Sequence, residues 1–96
     1  MKIAHLELFR AVMREGNFTG VARRRGIDPS AVSRAITTLE SDLGIRLFER
    51  TTRRFAPTEA GRIYYAQTDS LIEELELAAA RARDATAAPA GQLRVT

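Results

Sequence analysis

From Ile3 to Glu15, Leu6, Phe9 and Met13, flanked by Leu8 and Val12, keep the i, i+3, i+7 rhythm of one buried helical face, which predicts a first helix. Gly16 stops it. Asn17 then caps a second, short helix over Phe18–Arg25, with Phe18, Val21 and Ala22 facing inward. The run Gly26-Ile27-Asp28-Pro29 supplies a glycine for a left-handed helix end, an aspartate N-cap and a proline at the first helical position. Ile27 and Val32 are spaced for a hydrophobic staple that fixes how the next helix leaves the turn. Helix, very short Gly-containing turn, helix is a helix-turn-helix layout.

The third helix, about Pro29 to Leu43, is expected to bury Val32, Ile36, Leu39 and Leu43, spaced by 4, 3 and 4. After Gly44 the pattern alternates through Arg46 and Leu47-Phe48, turns at Glu49-Arg50-Thr51-Thr52-Arg53, and resumes at Arg54-Phe55-Ala56-Pro57. This predicts a short two-stranded hairpin, a wing, with Arg50, Arg53 and Arg54 at its tip. Thr58 with Glu59 opens a long helix to about Ala87, on the order of 45 Å at 1.5 Å per residue. Within it Tyr64, Leu71, Ala78 and Ala85 recur every seven residues, and Leu75 and Ala82 follow the second and third of them by four.

One small domain cannot cover so long a helix. Ile63 and Tyr64 are expected to pack partly on their own domain, with no local core beyond about Ser70, so the distal half pairs with the same helix of a second subunit. Ala87-Ala88-Pro89-Ala90-Gly91 breaks the helix, and Gln92 to Thr96 alternates like an opening strand with no partner. The chain reads as the front piece of something longer.

Composition narrows the function classes. A chain of 96 residues is one small domain, burying somewhat more than ~60% of its unfolded surface, so a deep-pocket enzyme is not expected. There is no cysteine, and the single His5, read as a surface or helix-end residue, cannot assemble a zinc centre. No metal or other cofactor is expected. The absence of thiols, of a signal-peptide apolar core and of a stretch approaching ~20 apolar residues points to the reducing cytoplasm. The net charge of +3 conceals an asymmetry: residues 1–65 carry +5 and residues 66–96 carry −2. A basic front end on a slightly acidic tail suits contact with a polyanion.

The third helix carries the sharpest chemistry. Ser30, Ala31, Ser33, Arg34, Thr37, Thr38 and Ser41 lie off its apolar face, and no acid occurs between Asp28 and Glu40. Small, hydroxylated and positive, that surface can approach phosphates and base edges without repulsion. Taken alone it is an ordinary solvated face; as the second helix after a helix-turn-helix corner, followed by a basic wing, it is a DNA-reading element. Ser33, Arg34 and Thr37 are the candidates for base edges, Arg34 being able to pair bidentately with guanine. In the wing, Arg50, Thr51, Arg53 and Arg54 fit phosphate contact or a narrowed minor groove, with protection of an exposed edge as the bland alternative. Asn17, Phe18 and Thr19 open the second helix, where backbone N–H groups suit a phosphate; Phe18 is chiefly a core aromatic.

The sequence resembles the N-terminal region of LysR-type transcriptional regulators. The match runs in order through Leu6-x-x-Phe9, Gly16-Asn17-Phe18-Thr19, Val21-Ala22, Ser30-Ala31-Val32-Ser33-Arg34-Ala35-Ile36, Leu39-Glu40, Leu43-Gly44, Leu47-Phe48-Glu49-Arg50 and Thr58-Glu59-Ala60-Gly61. Each motif alone is weak, and together, in this order and spacing, they are highly specific. The resemblance implies a winged helix-turn-helix, a linker helix that pairs two subunits, and beyond it an effector-binding domain built like a periplasmic binding protein. It implies dimers, or dimers of dimers, on interrupted palindromes. Three positions depart from the family pattern: Asn17 where Ser is usual, Asp28 where Ser or Thr often caps, and Arg25 where Leu is usual.

The fold expected is therefore mainly α: three helices with a two-stranded wing over residues 1–57, a dimerisation linker helix over 58–88, and over 89–96 a hinge and the first strand of an effector domain. The function expected is sequence-specific binding of double-stranded DNA as a homodimer, with Tyr64, Leu71, Leu75, Ala78 and Ala82 at the subunit interface. The rival reading is a helical dimerisation or adaptor module that presents the same surfaces to protein.

Overall fold

Helix ends divide the chain where the sequence punctuation places them. The computed structural model describes residues 1–49 and 55–87. Among them lie four helices: α1 (Ile3–Glu15), α2 (Phe18–Arg25), α3 (Pro29–Leu43) and α4 (Glu59–Ala87). Asn17 caps α2 by accepting from the Gly20 N–H, and Asp28 caps α3 by accepting from the Ser30 N–H. Thr58 caps α4, its hydroxyl accepting from the Gly61 N–H at 2.9 Å. α1 has no such side-chain cap. Its end is tied instead by the terminal ammonium, 3.7 Å from the Asp42 carboxylate.

The first three helices and the base of the wing surround one core of Phe9, Val12, Val21, Ala22, Val32, Ile36, Leu39, Leu47 and Phe48. Fully burying a side chain of this size stabilises by about 1.5–3 kcal/mol relative to leaving it exposed. Phe9 is the hub: its ring lies 5.8 Å from Phe48, 5.8 Å from Tyr64 and 6.4 Å from Tyr65, so one α1 residue joins the core to both wing and α4. Phe48 extends the cluster to Phe18 at 5.2 Å and Phe55 at 5.4 Å.

Several expectations change here. α3 buries Ala35 and Glu40 besides Val32, Ile36 and Leu39, while Leu43 is only half-buried. Ile27 remains 38% exposed, so it covers the turn less than a full staple would. His5 is half-buried rather than a plain surface residue, with Nδ1 enclosed and without a hydrogen-bond partner. Ile63 is 57% exposed and lies outside the core cluster and the half-buried side chains packed on it. Conversely, local core does continue beyond Ser70, because Ile72 is 2% exposed. At about 100° per residue, Gly61, Tyr65, Thr68 and Ile72 form a second face roughly 70° around the helix from Tyr64, Leu71 and Leu75. α4 thus has two apolar faces side by side, one turned to its own domain.

The wing is described only at its base. Phe48 and Pro57 form an antiparallel bridge, with the Glu49 N–H donating to the Ala56 carbonyl at 2.8 Å. The tip, with Arg50, Thr51, Arg53 and Arg54, lies outside the described residues, as does the segment 88–96.

Candidate nucleic-acid interface

The turn between α2 and α3 is built by backbone chemistry. The Ile27 N–H donates to the Ala22 carbonyl at 3.0 Å and the Gly26 N–H to the Arg23 carbonyl at 3.3 Å, the paired bonds of a Schellman end. This closure needs a left-handed residue, and Gly26 sits at φ 67°. One residue later Asp28 caps the next helix and Pro29 occupies its first turn, so α3 starts at once and at a fixed angle.

That angle turns Ser30, Ser33, Arg34, Thr37, Thr38 and Ser41 outward, all exposed, while Ala31 is half-buried at the edge. Ser30, Arg34, Thr37, Thr38 and Ser41 follow one another at helical spacing and make a continuous strip with no carboxylate in it. Arg34 lies along the strip, its guanidinium donating to the Ser30 hydroxyl at 3.2 Å. Asp28, at the head of the strip, is held below the usual carboxylate range by the Ser30 backbone N–H, then by the Ser30 hydroxyl, with Arg34 assisting. It is therefore ionised and occupied as a cap at neutral pH.

At the start of α2, Thr19 is exposed, Asn17 is exposed with its side-chain oxygen used by the cap, and Phe18 is half-buried edge-on to Phe48. Arg23, Arg24 and Arg25 are all exposed in the last turn of this helix, where its dipole favours positive charge. Arg24 is tied to Glu15 at 3.0 Å. Arg25 is exposed and lines an open cleft with Glu7, Glu15 and Glu76 as well as Arg10, Arg14 and Arg24, so this departure from the family pattern places no charge in the core.

Two positions organise the wing in ways the sequence reading did not foresee. Glu40, buried at 9% exposure, accepts from the Leu47 N–H at 2.7 Å and the Phe48 N–H at 3.2 Å, joining the end of α3 to the wing's first strand. Its signal was present: an acid on the apolar side of an amphipathic helix. Gly61 lets α4 approach the same point, since a β-carbon there would overlap the Leu47 carbonyl oxygen and lie 3.1 Å from its carbon. Thr58 completes the junction, its hydroxyl donating to the Arg46 carbonyl and its N–H to that of Leu47.

Along α4, Leu71 is 55% and Leu75 53% exposed, and Ala78 and Ala82 are exposed. Tyr64 differs from them. Half-buried on Phe9, with its hydroxyl 3.5 Å from the Met1 sulfur, it belongs largely to its own domain, and burial pushes that hydroxyl up. Among the described residues no cluster of His, Cys, Asp or Glu is arranged to hold a metal ion, and no helix is long and apolar enough to cross a membrane.

Comparison with known proteins places this architecture. The chain is 36% identical over 96 residues to the HTH-type transcriptional regulator PtxR of Pseudomonas aeruginosa, covering all of this chain and 31% of that protein. It is 39% identical over 95 residues to the regulator ClcR of Pseudomonas putida, covering 99% of this chain and 32% of that one. The chain thus spans about a third of the length of these curated relatives. Among solved structures, the BenM DBD in its complex with catB site 1 DNA superposes with a TM-score of 0.84 at 30% identity, over 93% of this chain and 99% of that one. The CbnR DBD–DNA complex gives 0.79 at 30% identity, over 90% and 99%. Residues 3–62 match the model of the bacterial regulatory helix-turn-helix proteins of the lysR family, and with the winged helix-turn-helix and long α4 in place the chain belongs to that family.

Proposed function

We propose that the chain reads double-stranded DNA in a sequence-specific manner to regulate transcription, and does so as a homodimer on an interrupted palindrome. The observation that carries this reading is the exposed, carboxylate-free strip of α3 running from Ser30 to Ser41, presented by a tightly closed helix-turn-helix corner. Its position in the second helix of the motif is that of a major-groove reader. Ser33, Arg34 and Thr37 reach base edges. Arg34, held by a single bond to Ser30, exchanges it for the O6 and N7 of a guanine, while Ser30, Ala31 and Thr38 pack against the backbone or a thymine methyl.

The remaining contacts position the domain. Asn17 and Thr19, with Phe18 anchoring them to the core, offer the start of α2 to a phosphate. The wing residues Arg50, Thr51, Arg53 and Arg54 take phosphates or the adjacent minor groove. Leu71, Leu75, Ala78 and Ala82, with Tyr64 at the border, pair α4 with its copy. In this division residues 1–57 read, 58–88 pair, and 89–96 lead into an effector domain. PtxR and ClcR, named as transcriptional regulators, and the BenM and CbnR complexes with DNA support the assignment. The protein then acts in the bacterial cytoplasm, by binding rather than catalysis.

An adaptor that offers the same surfaces to protein is the competing reading. Affinity for promoter-like duplex measured against salt separates them. A DNA reader neutralising roughly six phosphates loses about a thousandfold in affinity between about 50 and 200 mM salt. A flat response would overturn the proposal.

A further inference from the structure

The proposed reading leaves one nearly buried charge without a task. Arg10 on α1 has a side chain only 10% exposed, although it contacts neither the α3 strip nor the exposed α4 seam. Its Nε donates to Asp69 at 2.7 Å, one terminal nitrogen lies 3.3 Å from Glu76, and the other lies 3.8 Å from Glu73. Arg14, one turn further along α1, adds a 2.9 Å bond to the same Asp69 oxygen and a 3.3 Å bond to the Tyr65 hydroxyl. Asp69, Glu73 and Glu76, spaced four and three, put three carboxylates along one edge of α4, where like charges repel. The two arginines convert that edge into a clasp between α1 and α4.

Its place along α4 gives it leverage. The near end of the helix is pinned where Gly61 lies against the Leu47 carbonyl. Beyond Glu76, the described side chains up to Thr86 are exposed, apart from the half-buried Ala80, so the clasp is the last tie before the helix leaves its domain. From Gly61 to Ala82 the helix runs about 32 Å at 1.5 Å per residue. A swing of roughly 6° about Gly61 would move the distal seam by about 3.4 Å, one base-pair step.

We propose that Arg10, with Asp69, Glu73 and Glu76, determines specificity for the separation of the two half-sites, by fixing the angle between the reading domain and the pairing helix. The inference rests on the DNA-reading dimer proposed above. Arg10 is a positioning residue in this scheme: it touches no base, yet it decides which spacing both α3 helices can engage together.

The test uses the full chain and a duplex that the unmodified protein selects from a random pool, remade with its half-sites one and two base pairs closer and farther apart. The unmodified protein is expected to lose at least about tenfold in affinity away from its preferred spacing, the scale of one misplaced contact set. Arg10→Met, which keeps the aliphatic stem, and the double variant Glu73→Gln with Glu76→Gln, at exposed positions, should vary less than about threefold across the series. Their affinity for one isolated half-site should stay within about twofold of the unmodified value, since α3 is untouched. A preserved spacing profile in both variants, or an equal loss at every spacing, would overturn the inference. Failure of the unmodified protein to select any duplex would overturn the DNA-reading proposal instead.

Discussion

Replacing Glu40 should loosen the wing without touching the reading strip. In Glu40→Ala the Leu47 and Phe48 N–H groups lose the carboxylate oxygen that accepts from both, at residues 0% and 8% exposed. A buried donor left unsatisfied costs about 1–3 kcal/mol, so two give about 2–6 kcal/mol, and water entering the vacated space brings the expected loss to about 3 kcal/mol. Against a total of about 5–15 kcal/mol that is a large fraction, corresponding to a melting temperature lower by roughly 12–24 °C in a domain of this size. Glu40→Gln keeps a carbonyl acceptor for the Leu47 and Phe48 N–H groups, and losing the charge assistance to those two bonds costs about 1 kcal/mol. Ser41→Ala, one residue on and exposed, should fall within about 0.5 kcal/mol of the unmodified chain. Urea unfolding at one fixed protein concentration measures all three, the fixed concentration holding the contribution of subunit pairing constant among them. Glu40→Ala indistinguishable from Ser41→Ala, or no more harmful than Glu40→Gln, would refute the reasoning.

Other positions give separate expectations. Gly61→Ala forces α4 away from the Leu47 carbonyl and should destabilise by about 1–3 kcal/mol, as overpacking against unyielding backbone does; a melting temperature equal to the unmodified one would remove that contact from the account. Asp28 titrates below its ordinary value in the folded chain, so its contribution is full above the unfolded carboxylate pKa near ~3.9 and is lost as pH falls through the lower folded value. Asp28→Asn should therefore differ from the unmodified chain at pH 7 and converge with it in acid, and a difference independent of pH would contradict the assignment. Leu71→Asp with Leu75→Asp places carboxylates on the exposed α4 seam and should give monomers in sedimentation; an unchanged dimer would remove this seam from the interface.

How much of this was legible in the sequence follows the range of the interactions. Helix ends are local, and Asn17, Gly26, Asp28 and Thr58 cap or close where their residue types indicate. The α3 strip is equally local, because a missing acid on one face is visible at helical spacing. Interactions that join residues far apart were not readable. Arg10 meets Asp69 across 59 positions, and nothing near Arg10 announces it. The core face of α4 and its exposed seam lie side by side with Tyr64 close to both, so the heptad spacing of Tyr64, Leu71 and Leu75 does not announce the burial of Ile72. Glu40 sits between these cases: its type was anomalous on the apolar side, but its partners are set by the tertiary path of the wing.

The central claim is that the outward strip of α3 reads base edges while the wing supplies contacts indifferent to sequence. Its most direct test is the affinity of Arg34→Ala and Arg53→Ala for a selected duplex, for single-base-pair changes of it, and for random duplex of equal length. Arg34→Ala should lose about 1–3 kcal/mol on the selected duplex and become indifferent to one base pair, whereas Arg53→Ala should weaken every duplex about equally and reduce the salt slope by about one. Equal losses from both variants on selected and random duplex alike would contradict the claim.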